Sequence, residues 1–127
     1  MNSPTTTPAS APAPALTLSD GPVFRADSFS VPLAVLDDFM AQVQRVDRQL
    51  SALPGCRQHL VLMQLDAAVA ARDCIQVMTL VEWADAQALE AAKAHLLQQH
   101  ARAGFSPEAF MKALGVRAKK GHHALPA

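Results

Sequence analysis

Two stretches of this chain, residues 57–65 and 74–83, alternate as β-strands do but are apolar in both phases. In the first, His59, Val61, Met63 and Leu65 fall on one face and Leu60, Leu62 and Gln64 on the other. In the second, Ile75, Val77, Thr79, Val81 and Trp83 oppose Gln76, Met78, Leu80 and Glu82. Successive side chains of a strand point to opposite faces, and an antiparallel sheet with one wet face alternates apolar with polar. These two strands therefore need cover on both sides. No other feature constrains the fold as strongly, because the rest of the chain supplies helices for one side only.

Residues 23–31 read as a first strand, with Arg25, Asp27, Phe29 and Val31 on one face and Phe24, Ala26, Ser28 and Ser30 on the other. Pro32 ends it, since proline has no N–H for a ladder. Residues 33–53 carry Leu36, Phe39, Met40, Val43, Leu50 and Leu53 on one helical stripe, with Asp47 on that same stripe. Pro54-Gly55 stops this helix. Residues 66–73 read as a hairpin connection. Residues 86–103 form a second helix capped by Asp85. Its stripe centres on Leu89, Leu96 and Leu97, with Lys93 and His100 inside it and His95 pointing away. Ser106-Pro107-Glu108 opens a short third helix whose apolar side is Phe110, Met111 and Leu114. Residues 116–123 form a weakly patterned fourth strand. This β-α-β-β-α-α-β order is the split βαβ, ferredoxin-like arrangement. It predicts an α+β domain with a four-stranded antiparallel sheet and both long helices on one face. The second face is left bare, and a second copy of the sheet is the simplest cover, so the chain is expected to form a homodimer.

Composition narrows the partners. The 11 basic and 11 acidic residues cancel and are scattered, so nothing draws a nucleic acid backbone. No stretch approaches the roughly 20 apolar residues of a membrane span. Residues 1–22 are rich in Pro, Ala, Thr and Ser and read as an arm rather than a signal peptide, because they lack its basic start and continuous apolar run. The domain is placed at 23–123, with a tail at 124–127. Cys56 and Cys74 lie in no CxxC and no zinc spacing; they are read as reduced, mostly buried thiols in a cytoplasmic protein. No metal site is expected. Phosphate-binding and dinucleotide glycine patterns are missing as well, so no organic cofactor is indicated.

The run Asp27-Ser28-Phe29-Ser30-Val31-Pro32, then Phe39, Leu53-Pro54-Gly55-Cys56, Val77 through Glu82-Trp83, the Ala-rich second helix, and Gly104-Phe105-Ser106-Pro107 with Phe110 and Leu114-Gly115 resembles, in order and spacing, the antibiotic-biosynthesis-monooxygenase family. The resemblance covers about residues 23–118. It implies a dimeric α/β barrel with a pocket inside each subunit, between sheet and helices. It also implies chemistry of the kind that family performs: cofactor-free oxygenation of aromatic polyketides or quinol-like substrates, or haem degradation. On this resemblance Trp83, Val81, Thr79 and Val77 face the pocket, and Asp27 takes the place of an asparagine of the haem-degrading branch. That branch places a histidine where this chain has Lys93. The polyketide oxygenases place an asparagine where it has Thr79 and a tyrosine where it has Leu89.

Each candidate residue has two readings. Trp83, ending a strand beside a helix start, either seals the core edge or stacks on a flat aromatic ligand. Asp27 shares a face with Phe29 and Val31; it is either paired with Arg25 or a general base for a phenolic proton. Asp47 and His100, polar residues on apolar stripes, need partners; they pair with each other or with Lys93, or they line the pocket as a base and its orienting group. His59 is either a proton carrier or a surface residue at a strand start. The expected function is a monooxygenase without metal or organic cofactor, acting on a small electron-rich aromatic such as a hydroquinone or anthrone. Asp27 and His100 are its catalytic candidates, and Trp83, Thr79, His59, Lys93 and Asp47 contact substrate. The alternative is a non-catalytic dimer that binds a hydrophobic small molecule.

Overall fold

A computed structural model of the protein describes residues 21–65 and 73–126. Most of the proposed N-terminal arm, the connection at 66–72 and the last residue of the tail lie outside the described residues. β1 (Val23–Pro32) is followed by a 3-10 turn (Leu33–Val35) and α1 (Leu36–Ser51). Next come β2 (Cys56–Met63), β3 (Cys74–Trp83), α2 (Ala86–Ala103), α3 (Pro107–Leu114) and β4 (Arg117–Ala124). The four strands form one sheet in the order β2-β3-β1-β4, every pair antiparallel. This is the ferredoxin-like α+β topology that the element order predicts.

The boundaries moved where local chemistry competed with periodicity. β1 runs one residue further and takes in Pro32, which lies opposite Cys74 at the end of the ladder. Helix residues 33–35 tighten into the 3-10 turn. α1 ends at Ser51, so Leu53 lies beyond the helix, yet it still packs against the core around Trp83. β2 begins one residue earlier than predicted and ends at Met63, and its register shifts between Cys56 and Gln58. Such a bulge inserts an extra residue and turns the strand. The Arg57 guanidinium comes within 3.6 Å of the Glu82 carboxylate.

The face carrying Phe29, Val31, Ile75, Val77, Val81 and Trp83 is covered by helices. Phe29, Val31, Ile75 and Val77 pack with Phe39 and Val43 of α1 and with Val116, and Phe110, Met111 and Leu114 of α3 close over them. At the other end Val81 and Trp83 pack with Leu50 of α1 and with Leu89 and Ala92 of α2. Val31 and Val77 are 0% and 1% exposed, and Trp83 is 2% exposed. α2 starts at an N-cap where the Asp85 carboxylate accepts from Ala88 N–H at 2.8 Å, and Ser106 caps α3 in the same way. Leu97, expected at the centre of the α2 stripe, is exposed; the buried line runs through Leu89 and Ala92, with Leu96 packed beside it.

The opposite face of the sheet carries Phe24 and Leu80 half-buried and Leu60, Leu62 and Met78 exposed. No described element covers it. Cys56 and Cys74 are free and half-buried rather than mostly buried. They lie at opposite ends of the β3 ladder, roughly 30 Å apart at the rise of a strand, so they cannot form a disulfide with each other. Among the described residues no helix is long and apolar enough to cross a membrane.

Candidate functional site

Two core clusters at opposite ends of one sheet face leave space between them. Phe29 and Phe39, 5.1 Å apart between ring centroids, bound it on one side, and Trp83 with Leu89 on the other. The result is a partly open cavity of about 860 Å³ bounded by β1, β3, β4, α1, α2 and the start of α3. Ligand pockets commonly span about 300–1,000 Å³ and are mostly apolar with a few placed polar groups. This cavity has both attributes: its floor includes Phe29, Val81 and Trp83, and Asp27, Asp47, Thr79, Lys93 and His100 are set among them.

Of the residues singled out in the sequence, Asp27, Asp47, Thr79, Trp83, Lys93 and His100 all line this one cavity. Strand alternation explains the first group. Asp27 lies opposite Thr79 in the β1–β3 register, and Arg25 lies opposite Val81, so all four project from the helix-covered face. His59 shares that face of β2 but is not among the lining residues. Its Nδ1 lies 3.4 Å from the Asp47 carboxylate, and it reaches the cavity only through that residue.

The pairings differ from those considered for the polar stripe residues. Asp47 partners His59 rather than His100 or Lys93. Lys93 pairs with Glu90 one turn away, at 3.4 Å. The His100 ring packs on Phe105 with centroids 5.3 Å apart, and Phe105 packs in turn on Phe110. Asp27, 8% exposed, is the only charged residue in the buried class among the described residues. Both its oxygens accept from Arg25 Nε, at 3.1 and 3.3 Å. A buried carboxylate needs such a partner. Near Asp47, burial first and the negative charge of that carboxylate second push the Cys56 thiol above its usual range. Cys56 is therefore poorly suited to act as a thiolate nucleophile.

Two lining residues carried no functional reading in the sequence. Arg25 enters the sequence reading only as a partner for Asp27, and Lys120 lies on the weakly patterned fourth strand. Lys120 lies opposite Asp27 in the β1–β4 register and lines the cavity. The weak pattern of β4 hid this, because a register must be known before a lysine can be assigned a face. Among the described residues no group of three His, Cys, Asp or Glu comes together to hold a metal ion.

No protein-family model matches the chain, and no curated protein does. Solved structures do match. A variant of SnoaB, a cofactor-independent oxygenase from Streptomyces nogalater, superposes with a TM-score of 0.61 at 20% identity, over 84% of this chain and 94% of that one. SnoaB at 1.9 Å gives a TM-score of 0.54, also at 20% identity, over 84% and 95%. A dimeric ferredoxin-like protein from an uncultured marine organism gives 0.60 at 12% identity, over 84% and 97%. Identities this low carry the fold and not the activity. The chain is thus built on the ferredoxin-like fold that SnoaB shares, and it is at the level of fold that its resemblance to the antibiotic-biosynthesis-monooxygenase group holds.

Proposed function

We propose that the protein is a cofactor-free monooxygenase whose substrate is a small electron-rich aromatic of the hydroquinone or anthrone type. The observation that carries this reading is the cavity: an apolar chamber of about 860 Å³ with an aromatic wall and a buried carboxylate inside it. The fold it shares with SnoaB supports the reading. An anthrone-like substrate would lie against Trp83, with Asp27 taking a proton to leave an enolate. The electron-rich carbon of the enolate is oxidised by dioxygen, a C–O bond forms, and the resulting peroxide is protonated; His100 is the proposed donor. Loss of water then breaks the O–O bond and leaves a carbonyl. Carbon loses two hydrogens and gains one oxygen, and the second oxygen leaves as water. The protein contributes a dry, shaped site, a base and orientation.

The bare sheet face is proposed to be covered by a second copy of the chain, supported by exposed Leu60, Leu62 and Met78 and by the dimeric state of a structural relative. Free, half-buried thiols fit a cytoplasmic setting. The second reading is a dimer that only binds an aromatic ligand. It is favoured by Thr79 and Leu89 standing where the polyketide oxygenases carry an asparagine and a tyrosine.

Oxygen uptake by the purified protein with hydroquinones, anthrones and catechols tests the proposal, with Asp27→Asn and Trp83→Ala alongside. Uptake above the spontaneous rate, lost in a variant that remains folded and dimeric, is the expected result. Ligand-induced stabilisation without any uptake would replace the first reading with the second.

A further inference from the structure

The charges on the cavity wall do not balance residue by residue. Lys93 is held by Glu90, and Asp47 by His59. Glu108 lies in the first turn of α3, where the helix N-terminus favours an acidic group. Arg25 is paired only through Nε, which donates to Asp27. A guanidinium has five N–H donors, and those on Nη1 and Nη2 make no hydrogen bond with any described residue. Lys120 makes no ion pair among the described residues either. It lies opposite Asp27 across the β1–β4 ladder. It is therefore the diagonal neighbour of Arg25, at roughly 7–8 Å between Cα atoms for such a position. Two cationic groups with spare donors thus meet at one end of a cavity whose remaining walls are largely apolar.

We infer that this end of the cavity is a carboxylate subsite and that the natural ligand is an aromatic acid. Its rings lie in the apolar part of the cavity, and its carboxylate is held by the Arg25 fork and by Lys120. Asp27 fixes the guanidinium through Nε and leaves the planar terminal pair to grip two carboxylate oxygens, which is the geometry arginine provides and lysine does not. The Arg25 side chain is 27% exposed, so an anion there is attracted through less water than at an open surface. Lys120 is exposed at the mouth, so its share is sensitive to salt. The inference rests on the cavity being a ligand site, as in the proposed function, and needs no turnover.

The test compares anthraquinone-2-carboxylate with anthraquinone-2-carboxamide, which is alike in shape and uncharged. Binding is read by calorimetry and by quenching of Trp83, the single tryptophan of the chain. The acid is expected to bind at least about tenfold more tightly than the amide, as a charge-assisted contact allows. In Arg25→Gln only the smaller share of that preference due to Lys120 remains. Arg25→Lys keeps the charge but loses most of the preference, because it loses the fork. Lys120→Gln, at an exposed position, lowers it by a smaller factor that shrinks as salt is raised. Equal affinity for acid and amide in the unmodified protein would overturn the carboxylate subsite and leave the cavity as a site for neutral ligands. Failure of both to bind would overturn the ligand site itself.

Discussion

Gly55 is the position where a single added methyl group should cost most. It closes the turn between α1 and β2 with φ +85, and a Cβ built there lies 2.5 Å from the Cβ of Ala88. Ala88 is in the first turn of α2, fixed by the Asp85 cap, so its methyl cannot swing aside as a long side chain would. The turn is also clamped by Ala84 N–H, which donates to the Gly55 carbonyl at 2.8 Å. Gly55→Ala therefore carries two separable costs. A left-handed backbone costs an ordinary L-residue about 1–2 kcal/mol. Overpacking against a fixed neighbour costs about 1–3 kcal/mol. Together they predict a loss of about 2–5 kcal/mol. Gly104 provides the control. Its φ is +65, but nothing lies within 4 Å of a Cβ added there, so Gly104→Ala should lose only the conformational part, about 1–2 kcal/mol. Adding Ala88→Gly to Gly55→Ala should recover the steric part, less about 1 kcal/mol for glycine in a helix. The assay is urea unfolding at one fixed protomer concentration, since self-association makes apparent stability depend on it. Equal losses for the two glycine variants, or a coupling between positions 55 and 88 below about 0.5 kcal/mol, would refute the steric argument.

Three further outcomes follow from the packing, the caps and the half-buried thiol. Leu62 is 50% exposed on the bare sheet face, on the edge strand β2, so Leu62→Lys should shift a dimer toward monomer in sedimentation velocity; an unmodified protein that sediments as a monomer would remove the premise. Asp85→Ala leaves Ala88 N–H without its 2.8 Å acceptor and should cost about 1 kcal/mol; no change in the urea midpoint would show that the cap contributes nothing. Burial and Asp47 raise Cys56 above the ordinary thiol value of 9.0. The folded state therefore keeps its proton where the unfolded chain has begun to lose it. The associated stability is fully present below about pH 9 and is lost as pH rises through the folded value. Melting temperature measured from pH 7 upward should fall less steeply in Cys56→Ser; parallel curves would refute the linkage.

Much of this fold is local enough to be read in one dimension. Alternation at 74–83 placed Val77, Val81 and Trp83 on one buried face. The Asp85 and Ser106 caps marked helix starts that the structure keeps. Apolar residues in both phases of two strands foretold a face without cover, which Leu60, Leu62 and Met78 now expose. These features depend on backbone geometry within a few residues, and a sequence displays them directly.

The site is a different matter. That Asp27, Asp47, Thr79, Trp83, Lys93 and His100 share a wall follows partly from period, since each lay on a strand face or helix stripe turned toward the core. Their partners do not follow from it. Asp47 meets His59 and not His100 because α1 crosses the sheet over β2. Lys120 faces the cavity because β4 pairs with β1 in a register that sets it opposite Asp27. Which elements form and which faces are apolar can be read along the chain, because those depend on near neighbours. Which charges meet, which arginine nitrogens stay free and how large a cavity remains were decided only by the tertiary structure, because each depends on strand register and helix placement between residues far apart in the chain.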